Sequence, residues 1–242
     1  MIHDDSSSAK QEPGASMGLV SPCGRPFRSS LAADALDAIQ AGVMRTRYKG
    51  RTFLKSPFDV VLYLRLLGCL RPGTVIEIGS KEGGSGLWFA DNLAALGVDA
   101  RIISIDLRPP VDLVDPRISF LAGDAARLGE VLDPALLASL PHPWLVMEDS
   151  AHTFSVSLAV LRFFDRHLVE GDYVVIEDGI VADMPGAHYE RFENGPNRAV
   201  AAFLSERAGH YCIDAGLCDH FGHNVTYNPN GWLRRTGLPD QG

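Results

Sequence analysis

Acidic side chains recur in this sequence at the ends of short apolar runs. Glu77, Asp106, Asp124, Asp149 and the pair Glu177-Asp178 all stand there, and His152 follows Asp149 by three residues. Ligands of open α/β sheets gather at the carboxyl ends of the strands, so these groups are predicted to share one edge. Asp149, Glu177 and Asp178 would offer hard oxygen donors from two neighbouring strands about 4.8 Å apart. Such a set suits Mg²⁺ better than zinc or copper. Without a cation, three carboxylates so close would repel one another. Glu148 is expected to point away from Asp149, because strand side chains alternate. His152 has two readings: a helix cap or packed ring, or a base that takes a hydroxyl proton whose pKa a bound metal lowers. The second is preferred here, because the ring lies three residues from a metal-ligand candidate.

The first apolar run continues into a glycine-rich turn, VIEIGSKEGGSG. Gly79, Gly83 and Gly84 would let the backbone approach a ligand, with Ser80 in the turn and Ser85 near the start of the next helix. Gly79 and Gly83 do not fit the Gly-x-Gly-x-x-Gly dinucleotide fingerprint. Glu77 would also set a negative charge against a pyrophosphate, which disfavours a nicotinamide dehydrogenase. Asp106, after the second run, can accept hydrogen bonds from both hydroxyls of a ribose, and Asp124 can face an adenine amino group. Glu77, Gly79, Ser80, Gly83, Gly84, Ser85, Asp106, Asp124 and Asp149 therefore form the expected binding set for an adenosine without phosphates, S-adenosylmethionine.

The elements that must position these groups alternate along the chain. Val75–Ile78, Arg101–Leu107, Ile118–Leu121, Trp144–Met147 and Tyr173–Ile176 read as strands buried on both faces. Helical stretches are predicted at Ser85–Leu96, Ala125–Leu140, Phe154–Leu168 and Asn197–Arg207. Such alternation implies a mainly parallel sheet with right-handed crossovers. Tyr211–Ala215 and Asn224–Arg235 add two strands, expected as an antiparallel edge. Before the sheet, Leu31–Met44 reads as a helix and Arg45–Leu54 as a basic turn. Ser56, Pro57 and Asp59 cap a second helix that ends before Arg71-Pro72-Gly73. The loop Asp183–Asn197, directly after Glu177-Asp178, is placed to act as a lid over the acceptor. The reading is one α/β domain: a flexible polar tail over 1–28, whose composition supports little packing, a helical extension over 29–73, and an S-adenosylmethionine-binding catalytic domain over 74–242.

Composition narrows the partners. The 242 residues carry 22 Lys plus Arg against 30 Asp plus Glu, a formal charge of −8, which argues against a nucleic-acid binder with a basic face. Four irregularly spaced Cys support neither a disulfide framework nor a zinc knuckle and fit reduced thiols in a cytoplasm. The apolar stretches fall short of the roughly 20 residues of a membrane span, and the Ser/Gly/Pro-rich start has no signal-peptide pattern.

VIEIGSKEGGSGLWFADNL, IISIDL and FLAGDA together resemble a class I S-adenosylmethionine-dependent methyltransferase, with its Rossmann-like, seven-stranded sheet covered by helices on both faces. More narrowly, LKSPFDVVLYLRLL, the D-S-A-H stretch, GDYVVIEDG, GPNRAVAAFL and NVTYNPNGWLRR are similar to the cephalosporin hydroxylase/rhamnosyl O-methyltransferase family, related to macrocin-type metal-dependent sugar O-methyltransferases. The resemblance runs from about Tyr48 to Arg235. It implies Mg²⁺ at Asp149, Glu177 and Asp178, His152 as the base with Asp149 in the catalytic pair, a sugar or glycosylated natural product as acceptor, and a homo-oligomer. Its hydroxylase label leaves an iron oxygenase as an alternative, although such sites usually hold two His and one carboxylate. A non-catalytic binding subunit is the other alternative.

Overall fold

The computed structural model describes residues 18–237. Its elements in chain order are α1 (Ala33–Val43), β1 (Arg47–Tyr48), β2 (Arg51–Thr52), α2 (Pro57–Leu70), β3 (Thr74–Ile78), α3 (Gly84–Ala95), β4 (Arg101–Asp106) and β5 (Ile118–Ala122). There follow α4 (Pro134–Ser139), β6 (Trp144–Glu148), α5 (Phe154–Asp165), β7 (Tyr173–Ile176), α6 (Ala187–Glu190), α7 (Gly195–Glu206), β8 (Tyr211–Ile213), α8 (Ala215–Cys218) and β9 (Trp232–Arg235).

Seven strands form one sheet in the order β5-β4-β3-β6-β7-β9-β8. The first five are parallel to one another, and β9 runs antiparallel to both β7 and β8. Every position of β3, β6 and β7 is buried, as expected of strands with helices on both faces. Alternate side chains feed two cores. Ile76, Ile103, Val146 and Val174 meet Leu161 and Phe164 of α5 and Phe203 of α7 on one face. Val75, Ile102, Leu145 and Val175 meet Leu62 and Leu67 of α2 and Trp88 and Phe89 of α3 on the other. Within the expected helical extension, α2 thus shares a core with the sheet, while Leu36 and Val43 of α1 pack on Ile180, Val181, Met184 and Tyr227.

The two expected strands do form an antiparallel pair at the edge, with β9 on the inside between β7 and β8, and its Arg235 is fully buried with Nη1 3.0 Å from Asp165 Oδ1. Three details depart from the sequence reading. Only the last four residues of 224–235 are strand, because Asn224 and Asn230 adopt left-handed backbone and their amides bond the Pro26 carbonyl at 2.9 Å. The helix expected over 125–140 breaks into a 3-10 helix, Ala125–Glu130, and α4, because Asp133 caps Ala135 and Pro134 opens a new first turn. The basic turn 45–54 folds as the β1–β2 hairpin, whose Tyr48 and Lys49 reach Asp91 of α3 at 2.7 and 2.5 Å.

The expected polar tail lies outside the described residues up to position 17, but from Gly18 onward it is built into the fold. Val20 pairs with Pro26, Arg25 makes a two-pronged ion pair with Asp219, and Phe27 is 2% exposed in the α5–α7 core. Among the described residues no helix is long and apolar enough to cross a membrane. The four cysteines are free.

Phe27→Ala is expected to destabilise the protein by about 3–5 kcal/mol in urea unfolding; a change near zero would mean that this segment is not core. Asp91 tests the hairpin anchor. Partial burial alone would raise its carboxyl, but bonds from Lys49, Tyr48 and Arg117 hold it at about 2, below the roughly 3.9 of an unfolded Asp. Its stabilising contribution is therefore present above about pH 4 and lost as pH falls toward 2. The stability difference between the native protein and Asp91→Asn should shrink over that window.

Candidate active site

The parallel ladder continues one residue past the strands. Gly79 N donates to Ile105 O, Asp149 N to Ile78 O and Glu177 N to Glu148 O, at 2.7, 2.8 and 3.0 Å. Register therefore brings Gly79, Asp149 and Glu177 into one row at the carboxyl edge. At Gly79 φ is +103°, and a Cβ there would collide with the Asp149 carbonyl. Only glycine lets these two turns pass so closely.

A cavity of about 410 Å³ opens over this row. Gly79, Ser80, Ser85, Asp106, Asp124, Asp149, His152 and Asp178 of the expected residues line it. Asp106 is held by the Lys81 and Arg108 main-chain N–H groups at 2.9 Å each, and Asp124 caps Ala126 N at 2.9 Å. Ser80 Oγ is buried and has no partner. An oxygen-rich end at Asp106 and Asp124 and an unpartnered hydroxyl in the turn fit a nucleoside-bearing ligand.

Three expected cofactor residues do not line the cavity. Glu77 is fully buried beneath the turn, where Ser104 Oγ donates to it at 2.5 Å. Gly83 caps α3 with φ +78°, under the Leu113 side chain, and Gly84 lets the Thr52 carbonyl of β2 sit against α3. These residues shape the turn beneath the cavity. The motif's spacing marks where the chain bends and not which atoms face the cavity.

Asp149, His152 and Asp178 each offer an atom, all within 4.8 Å of one another, and His152 Nε2 stands 3.4 Å from Asp178 Oδ2. Two of the three reach this place through left-handed backbone, His152 at φ +53° and Asp178 at φ +58°. Such strain in non-glycine residues persists where surrounding contacts impose it. Asn228 Oδ1 accepts from Asp178 N at 3.2 Å, and Asn197 Nδ2 donates to Gly179 O at 2.8 Å. Gly195 packs its bare Cα against the His152 carbonyl and Phe154 N, so the start of α7 can press on both loops. The Phe192 ring meets the His152 imidazole edge-on at 5.6 Å, placing the segment expected as a lid beside the cluster.

Glu177 goes elsewhere. Consecutive residues leave a strand toward opposite sides, and the left-handed turn at Asp178 sends only that carboxylate to the cavity. Glu177 is 3% exposed and accepts from Tyr63 Oη at 2.8 Å and from Lys55 Nζ at 2.7 Å on each oxygen. Lys55 Nζ also donates to Asp149 Oδ2 at 2.6 Å. Sequence reading missed Lys55, Tyr63 and the buried Asp59. Asp59 accepts from Thr226 Oγ1 and, at 3.0 Å, from Tyr227 N, and so ties the start of α2 to the loop beside Asp178. The LKSPFD motif contains two of the three, but its local pattern announces only a helix cap. Glu148 turns away as alternation requires, held by Ser150 and Ser157.

The electrostatics match this division. Burial works against the Lys55 charge, but Asp149, Glu177 and Glu77 outweigh it and raise its pKa well above the ordinary range, so it remains an ammonium. Burial pushes Asp178 up to about 6. The His152 pKa is raised: burial opposes the charged ring, while Asp178, Asp149 and Glu148 favour it. A cavity wall of crowded carboxylates with an imidazole beside them fits a divalent cation.

The chain matches the rhamnosyl O-methyltransferase/CmcI family over residues 41–236. A rhamnosyl O-methyltransferase of Mycobacterium leprae is 32% identical over 195 residues, covering 78% of this chain and 83% of that protein. One from Mycobacterium tuberculosis is 29% identical over 205 residues, covering 79% and 78%. The apo structure of CmcI superposes with a TM-score of 0.62 at 26% identity, covering 81% of this chain and 78% of that one. A CmcI structure with Mg and SAM gives 0.60 at 24% identity, over 80% and 78%, a likeness of fold.

The Gly79–Asp149 approach can be tested directly. Gly79→Ala combines a collision with main chain and an unfavourable φ, and should cost more than about 2 kcal/mol in urea unfolding. Stability equal to the native protein would show that the two turns do not meet.

Proposed function

This chain belongs to the rhamnosyl O-methyltransferase/CmcI family, and from that premise we propose that it is a Mg²⁺-dependent O-methyltransferase that uses S-adenosylmethionine to methylate a hydroxyl of a sugar or glycosylated natural product. The observation that carries the reading is the meeting of Asp149, Asp178 and His152 at one end of a cavity whose other end presents Asp106 and Asp124. When bound, S-adenosylmethionine supplies a methyl already activated by its sulfonium, and Mg²⁺ supplies charge that lowers the pKa of a coordinated hydroxyl.

The chain's own groups have distinct tasks in this reading. Asp106 accepts from the ribose hydroxyls, Asp124 faces the adenine, and the turn Gly79–Ser85 carries the methionine end. Asp149 and Asp178 would hold the metal, with Glu177 of the expected set beside them on Lys55. His152 receives the acceptor's proton at Nε2, and Asp178 steadies the charged ring that results. Lys55 is excluded as the base, since an ammonium paired with two carboxylates has no lone pair to offer. Phe192 and the segment around it keep water from the acceptor. Positioning supplies most of the rate, because the donor is already reactive.

The oxygenase alternative is disfavoured by its ligand set, since a single imidazole joins the two acids here where two are usual. The proposal also takes the enzyme as cytoplasmic, on its free thiols, and as a homo-oligomer, on its likeness to the family.

Methyl transfer to a rhamnoside should stop in excess EDTA and return with Mg²⁺. Asp178→Asn should lower kcat/KM by on the order of a hundredfold or more while S-adenosylhomocysteine still binds by calorimetry. Full turnover in EDTA would sink the metal-dependent reading. A chain that bound neither S-adenosylmethionine nor S-adenosylhomocysteine would sink the methyltransferase reading altogether.

A further inference from the structure

Resting on that reading, we propose that Tyr227 reads the acceptor: its hydroxyl hydrogen-bonds a second hydroxyl of the sugar and so decides which oxygen reaches the metal end of the cavity. Tyr227 is 3% exposed, and its Oη is buried with no hydrogen-bond partner among the described residues. A buried hydroxyl without a partner costs free energy, and a partner that arrives with a ligand accounts for it. The rest of the residue is fully engaged. Tyr227 N donates to Asp59 Oδ2 at 3.0 Å, its carbonyl accepts from Ile180 N at 3.0 Å, and the neighbouring Asn228 accepts from Asp178 N at 3.2 Å. These bonds tie the backbone at Tyr227 to the turn that carries Asp178. Burial and the charges of Asp178, Asp59 and Tyr189 all raise the phenol pKa, so the proton stays on and the hydroxyl can donate.

What covers Tyr227 is a segment built to move. The ring belongs to a small core with Ile180, Val181 and Met184, on which Leu54 of the cavity wall and Tyr189 and Phe192 of the segment 183–197 pack. Within that segment α6 buries no residue. It is flanked by Gly186 at φ +117° and by Glu193 and Asn194 at φ +50° and +55°. Turns at both ends let a short element swing as a unit. An outward shift of Tyr189 and Phe192 would open the Tyr227 hydroxyl to the space that His152 and Asp178 line. A sugar presents several hydroxyls of similar chemistry, so a single polar contact cannot orient it, whereas a second one can.

The experiment is steady-state methylation of methyl rhamnoside and its monodeoxy analogues by the full native chain and by Tyr227→Phe, with the methylated position read by NMR. Tyr227→Phe should raise KM for methyl rhamnoside roughly tenfold, the worth of one hydrogen bond, and should yield more than one positional isomer. One deoxy analogue that keeps the methylated oxygen lacks the hydroxyl Tyr227 holds, and on it native chain and variant should have equal kcat/KM. Because the substitution leaves no partner behind, Tm should not fall, and S-adenosylhomocysteine should bind within about twofold of the native affinity. A structural role for the hydroxyl would instead lower Tm and weaken every acceptor alike. That pattern, or a variant with native KM and a single native product, overturns this inference and leaves the functional reading standing. A native chain that methylates no rhamnoside overturns the functional reading and this inference with it.

Discussion

One buried ammonium holds this molecule's working edge together. Lys55 arrives just before α2, yet its three hydrogen bonds go to side chains 94 and 122 residues further along the chain. Asp149 and Glu177 follow adjacent parallel strands, and at that spacing two unpaired carboxylates in a low-dielectric setting would drive the strand ends apart or force protonation. Removing one partner of such a buried cluster typically costs about 3–5 kcal/mol, because a charge is left without compensation. The geometry of the cavity is therefore inseparable from the docking of α2 on the sheet.

The rest of the site is assembled by asparagines, glycines and one more acid. Asp59 joins the start of α2 to the loop at Thr226 and Tyr227; Asn228 and Asn197 hold the turn at Asp178; Asn224 and Asn230 hold the segment at Pro26. Amide side chains suit this task, since each can donate and accept at once where irregular backbone leaves polar groups unpaired. The left-handed conformations of His152 and Asp178 are the local strain these anchors sustain. Rigid support of this kind matters to a reaction in which the protein mainly places reactants.

Much of the architecture was legible. The five parallel strands follow from β-branched runs, and the carboxyl-edge rule picked out Asp106, Asp124, Asp149, Asp178 and His152, all of which line the cavity. What the spacing could not show has a common origin. Glu77, Gly83 and Gly84 sit inside a motif whose spacing describes a bend, and Glu177 sits beside Asp178 in a pair whose members part at the strand end. The segment 18–28 looked too polar to pack, yet a single aromatic, Phe27, with the ion pair from Arg25 is enough to anchor it.

By itself the sequence determined the order of elements, the parallel sheet and the edge at which the acids would stand, because hydrophobic periodicity and strand termini are local properties of the chain. Only the tertiary structure decided which acids face the cavity together and which pair with Lys55. That choice depends on backbone handedness at one residue, on β9 inserting beside β7, and on a lysine brought from before α2. All of these are long-range, and burial and charge compensation select among them only once the chain has closed around the site.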